Sequence, residues 1–457
     1  MSLVVSGGTV VTSLHPARVV QGDVEIEAGR VVRVSPQGEG GSPAPASAAV
    51  TDGIDARGCL VMPGNVCAHT HLYSALARGM PYELEPPRDF IEVLRRVWWR
   101  LDRALDAPSI RASALVGGAE ALLAGTTTLV DHHASPDAID GSLDLLAEAL
   151  DSLGIRGVLA YEVTDRDGLG RAAAGVAENR RFAARAARGS MPLTRAMIGA
   201  HASFTLSDAT LAACVDAVEA TGVGLHIHVA EDQADEDDAR TRFGTSVVGR
   251  LARAGALDRR TLVAHAVHLG GDEPDRVLEA GSTVLHNARS NMNNRVGRTP
   301  LARLGDRVAL GTDGIGADMF EESRTAWLRA REDGITSDPS WALARLAESA
   351  RVAGDAFGES LLGRLEAGAP ADLVVLDYPA PAPLDAGSLA SHWIFGLAAR
   401  HVRDVVVAGT IAVRDRTLTR MNGAQLSDDA RHETERLWDR LGGIAEHPFD
   451  PRTETAR

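Results

Sequence analysis

His69 and His71 flank a single threonine. In an extended chain, residues two apart point to the same face, so both imidazoles can reach one ion. Two groups further along extend the pattern: His228 closes a short apolar run, and Asp313 sits in Gly311-Thr312-Asp313-Gly314 just after another. Three neutral nitrogens and one carboxylate, with room left for water, suit one divalent metal, zinc in the first instance and iron as the alternative. Glu231 lies three residues beyond His228. A loop folding back at that point would hold its carboxylate over the water as a proton shuttle. Each residue also has an ordinary reading. Most histidines are satisfied by hydrogen bonds, Asp at a strand end often caps a turn or helix, and the acidic run to Asp238 could be a solvated helix start. Their occurrence together carries the assignment.

Such residues need a scaffold that gathers distant strand ends. Short, β-branched apolar runs predict strands at Val61–Ala68, Thr126–Asp131, Gly157–Glu162, Ala196–Ala200, Gly224–His228, Thr261–His265, Ser282–His286 and Val308–Gly311. Helical patterns such as Ser109–Ala124 and Ala209–Ala220 lie between them. Eight strands with crossovers predict an α/β fold, a parallel (β/α)8 TIM-like barrel, over an open doubly wound sheet. Of 15 histidines, ten fall at or near C-terminal strand ends: His69, His71, His132, His133, His201, His226, His228, His265, His268 and His286. That is the end where barrel enzymes build their sites.

The chain ends read differently. Val24–Ala28, Gly29-Arg30 and Val31–Val34 form a hairpin signature, and the same texture returns in Asp372–Leu376 and Val405–Val413. Isolated hairpins are marginal, so both ends are expected to share one small β-sandwich with the barrel inserted between them. The expected division is 1–58 and 363–422 for the sandwich, 59–362 for the barrel and 423–457 for a C-terminal tail. That tail reads as a helix over Asp428–Leu441 followed by a polar, frayed end. Residues 36–50, rich in Gly, Pro, Ser and Ala, read as an exposed loop.

Composition narrows the class. A chain of 457 residues with 45% apolar and 24% charged residues is that of a globular protein. A net charge of −15 argues against a nucleic-acid partner, whose phosphates would call for clustered positive charge. Cys59, Cys67 and Cys214 form neither a disulfide framework nor a C-x-x-C motif, which suits a reducing cytoplasm. Met1 to Pro16 has no signal-peptide pattern, and no apolar run approaches the ~18 residues of a membrane helix. All 47 basic residues are arginine. The absence of lysine excludes a phosphate-loop Lys, a Schiff-base Lys and a carbamylated Lys bridging two metals.

Pro63-Gly64-Asn65 leading to His69-Thr70-His71 resembles the first-strand motif of the amidohydrolase superfamily. So do His228-Val229-Ala230-Glu231, Ala264-His265-Ala266-Val267-His268 and Gly311-Thr312-Asp313-Gly314, while Gly368–Leu376 is similar to the returning sandwich strand of those enzymes. Order and spacing resemble the aminohydrolase branch, which holds guanine, cytosine and adenosine-type deaminases and triazine chlorohydrolases. Within it, Asp131–Pro136 and His286–Asn291 look most like the aminohydrolases called SsnA. The resemblance covers nearly the whole chain.

It implies roles residue by residue. His69, His71, His228 and Asp313 would bind one metal. Asp313 would also take a proton from the activated water, Glu231 would pass one to a ring nitrogen, and His265 would be the electrophilic or orienting group. Hydrolytic loss of ammonia from a small heterocycle or amidine-type substrate follows. Displacement of chloride or alkylamine, opening of a cyclic amide, or a metal-binding homologue without turnover are the alternatives. His201, His133, His268, Arg289 and Asn291 are the expected substrate contacts, His268 being read equally as a satisfied core histidine. Arg289, Arg295 and Arg298 could hold an anionic group or form a solvated loop. Trp98 and Trp99 could wall the pocket or be core, and Tyr161 and Glu162 face it only in one strand register. His132 or His133 could hold a second metal, although one metal is the preferred count. A homo-oligomer is expected, a homodimer in the simplest case.

Overall fold

Eight buried strands run parallel in chain order: Asn65–Thr70, Thr126–His133, Arg156–Val163, Ile198–Ala202, Leu225–Val229, Leu262–His265, Thr283–His286 and Val308–Leu310. They are here called barrel strands one to eight. Parallel strands covered on both faces read as near-continuous apolar runs, which is why they stood out in the sequence. The ring closes at its chemically loaded edge. Thr70 of strand one bridges Asp313, and the N–H groups of Thr312 and Asp313 both donate to the His69 carbonyl, at 2.8 and 3.1 Å. The computed structural model describes residues 2–36, 52–81 and 83–453. The loop expected over 36–50 lies outside them, apart from Pro36.

Helices pack outside the strands. Ala107–Leu123 starts at a reciprocal cap between Asp106 and Ser109, and Asp208–Thr221 starts at Ser207 and stops at Gly222. Both agree with the expected spans to within about two residues.

The expected strand Val61–Ala68 is two strands. Leu60–Pro63 pairs antiparallel with Leu373–Leu376 in a separate sheet, and Asn65–Thr70 enters the barrel. Gly64 makes the switch: a Cβ there would lie 2.3 Å from the Thr127 side chain, so only glycine lets the chains pass so closely. Strand four also sits later than expected. Pairing of Gly199 with Glu162 and of Ile198 with Leu225 sets its register, so His201 lies within the strand.

Both chain ends join one nine-stranded sheet, in the order Thr417–Leu418, Thr410–Arg414, Val402–Val407, Leu373–Leu376, Leu60–Pro63, Ser2–Ser13, Arg18–Glu27, Arg30–Pro36, with Asp52–Asp55 beside Ser2–Ser13. Val5, Val10, Ile26, Val61, Leu373 and Val375 form its buried core. A buried ion pair ties this sheet to the barrel: Arg156 Nε donates to Asp372 Oδ2 at 2.6 Å.

The C-terminal helix spans Gly423–Gly442, capped by Asn422. Beyond it, residues 443–453 are fastened and not frayed. His447 and Asp450 are buried, because arginines and Trp99 on the helices at Phe90–Ala104 give this polar stretch fixed partners.

Candidate active site

The imidazoles of His69, His71 and His228 converge through Nε2. Each Nδ1 is engaged from behind: that of His69 with His226 Nε2 at 2.9 Å, that of His71 with the His132 carbonyl at 2.5 Å, and that of His228 with the His201 carbonyl at 2.8 Å. A carbonyl only accepts, so His71 and His228 keep a proton on Nδ1 and turn Nε2 inward. Those two Nε2 atoms lie 3.2 Å apart, and Asp313 Oδ1 lies 3.0 Å from His71 Nε2 and 3.5 Å from His69 Nε2. The buried Nε2 of His69 has no hydrogen-bond partner.

This donor set fits a divalent cation: three nitrogen lone pairs and a carboxylate oxygen facing one point, each oriented by a fixed neighbour. Electrostatics agree. Burial pushes His69 down to about 3, while His71, disfavoured by burial, is pushed up to about 9 by Asp313. Asp313, although largely enclosed, is held well below the usual carboxylate range by His69 and His71. The cluster wants positive charge at its centre.

Three neighbours complete it. His265 offers a ligand atom within 4.8 Å of those of His69, His228 and Asp313. Its Nδ1 meets Asn291 Oδ1 at 2.8 Å, so the neutral ring presents Nε2 as a lone pair, 3.6 Å from Glu231 Oε2. Burial holds that ring neutral. His132 also lies close, with a ligand atom within 4.8 Å of those of His71 and His228, while its two ring nitrogens face Glu162 Oε2 at 3.2 Å and the His226 carbonyl at 3.1 Å. Glu231 is pushed well above the usual carboxylate range by burial and by the charge of Asp313. A carboxyl held protonated is a proton donor.

The backbone is bent to hold these groups. Ala230, His265, Ala266 and Asp313 adopt φ of 47, 70, 52 and 54°, in the left-handed region that non-glycine residues seldom enter. Such conformations cost about 1–3 kcal/mol each and persist where surrounding contacts impose them. At Ala230 the contact is Asp235, whose carboxylate accepts the N–H groups of Ala230 at 2.9 Å and Phe204 at 3.0 Å. The chain therefore folds back after His228, bringing Glu231 to the cavity as the sequence suggested.

Gly311 sits beneath Asp313, and a Cβ there would fall 2.5 Å from both His69 Cβ and Asn287 Oδ1. Gly311→Ala is expected to push His69 out of line, lower bound metal at least tenfold at limiting concentration, and cost about 1–3 kcal/mol of stability. Metal analysis with a thermal melt checks it.

The cavity, about 220 Å³, opens over this cluster. Tyr73, Phe90, Leu94, Trp98, Trp99 and Ile315 give an apolar wall; Ser74, Glu162, His201, Ser290, Asn293 and Asn294 give polar edges. Glu162 faces it, and Tyr161 points the other way, as alternation along a strand demands. Burial disfavours the charge on Glu162, yet His201, His132 and Arg166 hold it ionised.

Of the expected substrate contacts, only His201 lines the cavity. His133 is turned to Ser135 Oγ at 2.9 Å, and His268 holds the Val296 carbonyl at 2.6 Å. Asn291 orients His265 instead of meeting the cavity. Arg289 is held by Glu321 and Glu322, and Arg298 by Glu332 and Asp333. Those carboxylates neutralise two of the three arginines of the loop that suggested an anionic substrate. Ser290, Asn293 and Asn294 were missed as lining residues. They sit three and four apart on and just beyond the one-turn helix Ala288–Asn293, so helical spacing was the available signal. Ser290 Oγ also donates to Asp313 Oδ2.

Residues 60–412 match the model of the amidohydrolase family. A 5-methylthioadenosine/S-adenosylhomocysteine deaminase of Desulforudis audaxviator is 31% identical over 426 residues, covering 91% of this chain and 95% of its own. A 5'-deoxyadenosine deaminase of Methanosarcina mazei is 29% identical, covering 84% of this chain and 88% of its own. The crystal structure of an adenosine deaminase from Xanthomonas campestris with bound zinc superposes with a TM-score of 0.82 at 25% identity, covering 97% of this chain and 99% of that one.

Proposed function

Since this chain belongs to the amidohydrolase family and is a metal-dependent hydrolase of non-peptide carbon–nitrogen bonds in its deaminase branch, we propose that it removes the 6-amino group of an adenine nucleoside. The variable part of that substrate is its 5' position. The observation that carries the reading is the convergence of three histidine Nε2 atoms and Asp313, with Glu231 beside them, at one cavity edged by aromatic side chains. Support for the substrate class comes from relatives matched over most of their length, named for adenosine derivatives that differ at that position. The same names disfavour chloride displacement and amide opening.

His69, His71, His228 and Asp313 would hold one metal, with His265 close enough to join them, and zinc is favoured by donor type and by the zinc-bound neighbour. Such an ion supplies, when bound, a water acidic enough to act as hydroxide near neutral pH. Asp313, with Oδ2 held by Ser290, receives the proton of the attacking water and passes it to the 6-amino group, which leaves as ammonia while the proton of the new hydroxyl restores Glu231. Glu231 gives its proton to the ring nitrogen beside the reacting carbon. His265, fixed by Asn291, is the orienting group and shares the transferred charge with Glu231. Trp98, Trp99 and Phe90 exclude water and stack the base, and His201 and Glu162 offer acceptors at the inner edge. Likeness to the SsnA aminohydrolases extends to the His132-His133 pair, which we read as structural support. We further propose a cytoplasmic homodimer, in keeping with three free cysteines, and a division into a β unit (1–58 with 363–422), a catalytic barrel (59–362) and a C-terminal appendage (423–457). Among the described residues no helix is long and apolar enough to cross a membrane.

The test is product identity. Metal-loaded protein is incubated with adenosine, 5'-deoxyadenosine, 5'-methylthioadenosine, S-adenosylhomocysteine and a chlorotriazine. Ammonia equal to the 6-oxo nucleoside formed is the expected outcome. Chloride from the triazine, with no ammonia from any nucleoside, would overturn the proposal.

A further inference from the structure

We propose that the C-terminal segment, residues 444–452, is a strap that sets the substrate-binding wall of the cavity, with His447 and Phe449 as its positioning residues. This rests on the proposed function only for the identity of the substrate.

The wall comes from one helical stretch, Phe90–Val93, Leu94–Trp98 and Trp99–Ala104, whose middle is a π turn. Such turns re-aim side chains and recur at functional sites. Here Phe90, Leu94, Trp98 and Trp99 reach the cavity. The opposite side of the stretch is gripped by the chain end, some 350 residues away. Arg95 donates to the His447 carbonyl and to Asp450 Oδ2, both at 2.9 Å, and its own carbonyl accepts the His447 N–H at 3.0 Å. Arg96 meets Glu446 at 3.1 Å, Arg100 donates to the Ile444 carbonyl at 2.6 Å, and Arg452 pairs with Asp89 at 2.8 Å. Trp99 packs against the rings of His447 and Phe449, at centroid distances of 5.2 and 5.8 Å. Phe449 belongs to the apolar cluster at the barrel mouth with Phe204, Val267 and Val296.

A second route reaches the cavity. His447 Nε2 lies 3.3 Å from Asp167, Asp167 lies 3.4 Å from Arg166 Nε, and Arg166 donates to Glu162 at 3.0 Å. The Arg166 guanidinium also lies 5.2 Å from the Trp99 ring centroid. Both the aromatic wall and the Glu162 edge are thus fixed by the same tail residue. Among the described residues no hydrogen bond or ion pair joins the strap to Glu231, His265 or Asp313; its one approach to that side is the apolar packing of Phe449 near Val267. Losing the strap should therefore weaken substrate binding and spare the chemical step.

The test compares the full chain with His447→Ala, with His447→Ala/Phe449→Ala and with a chain ending at Gly443. Hydrogen exchange of residues 90–104, metal content, and KM and kcat for 5'-deoxyadenosine are the readouts. Faster exchange in 90–104, KM raised about tenfold and kcat held within about threefold, with metal retained, is expected for the point variants. Unchanged exchange there, or kcat and metal falling together with KM unmoved, would overturn the strap. Absence of turnover by every form, with faster exchange still seen, would count against the substrate and leave the strap standing.

Discussion

Glu231→Gln is expected to lower kcat about 10³-fold while leaving bound metal and substrate affinity within about threefold of the parent. Glutamine keeps the shape of the side chain, the bend at Ala230 and the fastening by Asp235. It removes only the exchangeable carboxyl proton. That proton is available because burial and the Asp313 charge keep Glu231 protonated where a carboxylic acid would ordinarily be ionised. The group lies three residues from a metal-binding candidate without joining the convergent nitrogens, so chemistry and metal binding separate at this position. Retained activity in the glutamine form, measured on protein of verified metal content, would remove Glu231 from the reaction.

His71→Ala is expected to lose the metal and, with it, all measurable turnover. It also removes the partner of a buried carboxylate. Asp313 Oδ1 lies 3.0 Å from His71 Nε2, and breaking a buried pair of this kind costs about 3–5 kcal/mol. A chelator separates the two effects. The parent should lose thermal stability on chelation and recover it on adding zinc, by about 4 kcal/mol when free zinc is a thousand times its Kd. The variant, already without metal, should melt at one temperature under both conditions. A variant that keeps one equivalent of metal and turns over would show that His71 is not a ligand.

Much of the candidate site's convergence was legible in the sequence, and the reason is the strand. At His69, His71 and His228, period-two alternation fixes which way a side chain points once the strand is recognised, and the barrel fixes which strand ends meet. Asp313 follows from the same closure, through the bridge to Thr70. Substrate contacts were harder to read, because they lie on loops and short helices whose direction depends on distant partners. Arg289 looked free in the sequence, but Glu321 and Glu322 on another helix claim it. Asn291 looked like a substrate donor, but His265, 26 residues away, takes it. Ser290 and Asn294 carried only the three-and-four spacing of a helix barely longer than one turn, and Leu94 needed a π turn. That both chain ends share one sheet was legible from repeated hairpin texture, although they form a single nine-stranded sheet where a sandwich was expected, and the break at Gly64 depends on how closely Thr127 approaches. The tail was misread because its anchors are arginines and a tryptophan some 350 residues upstream.

The missing lysine gains meaning beside this geometry. Both nitrogens of His132 face oxygens, and no lysine exists to bridge a metal pair, which supports our proposal of a single metal. Titrating metal-free protein with zinc while following ammonia release from 5'-deoxyadenosine tests that centre most directly. The rate should rise in proportion to zinc and break at one equivalent per chain. A break at two equivalents, or no ammonia at any loading, would contradict a single-metal aminohydrolase.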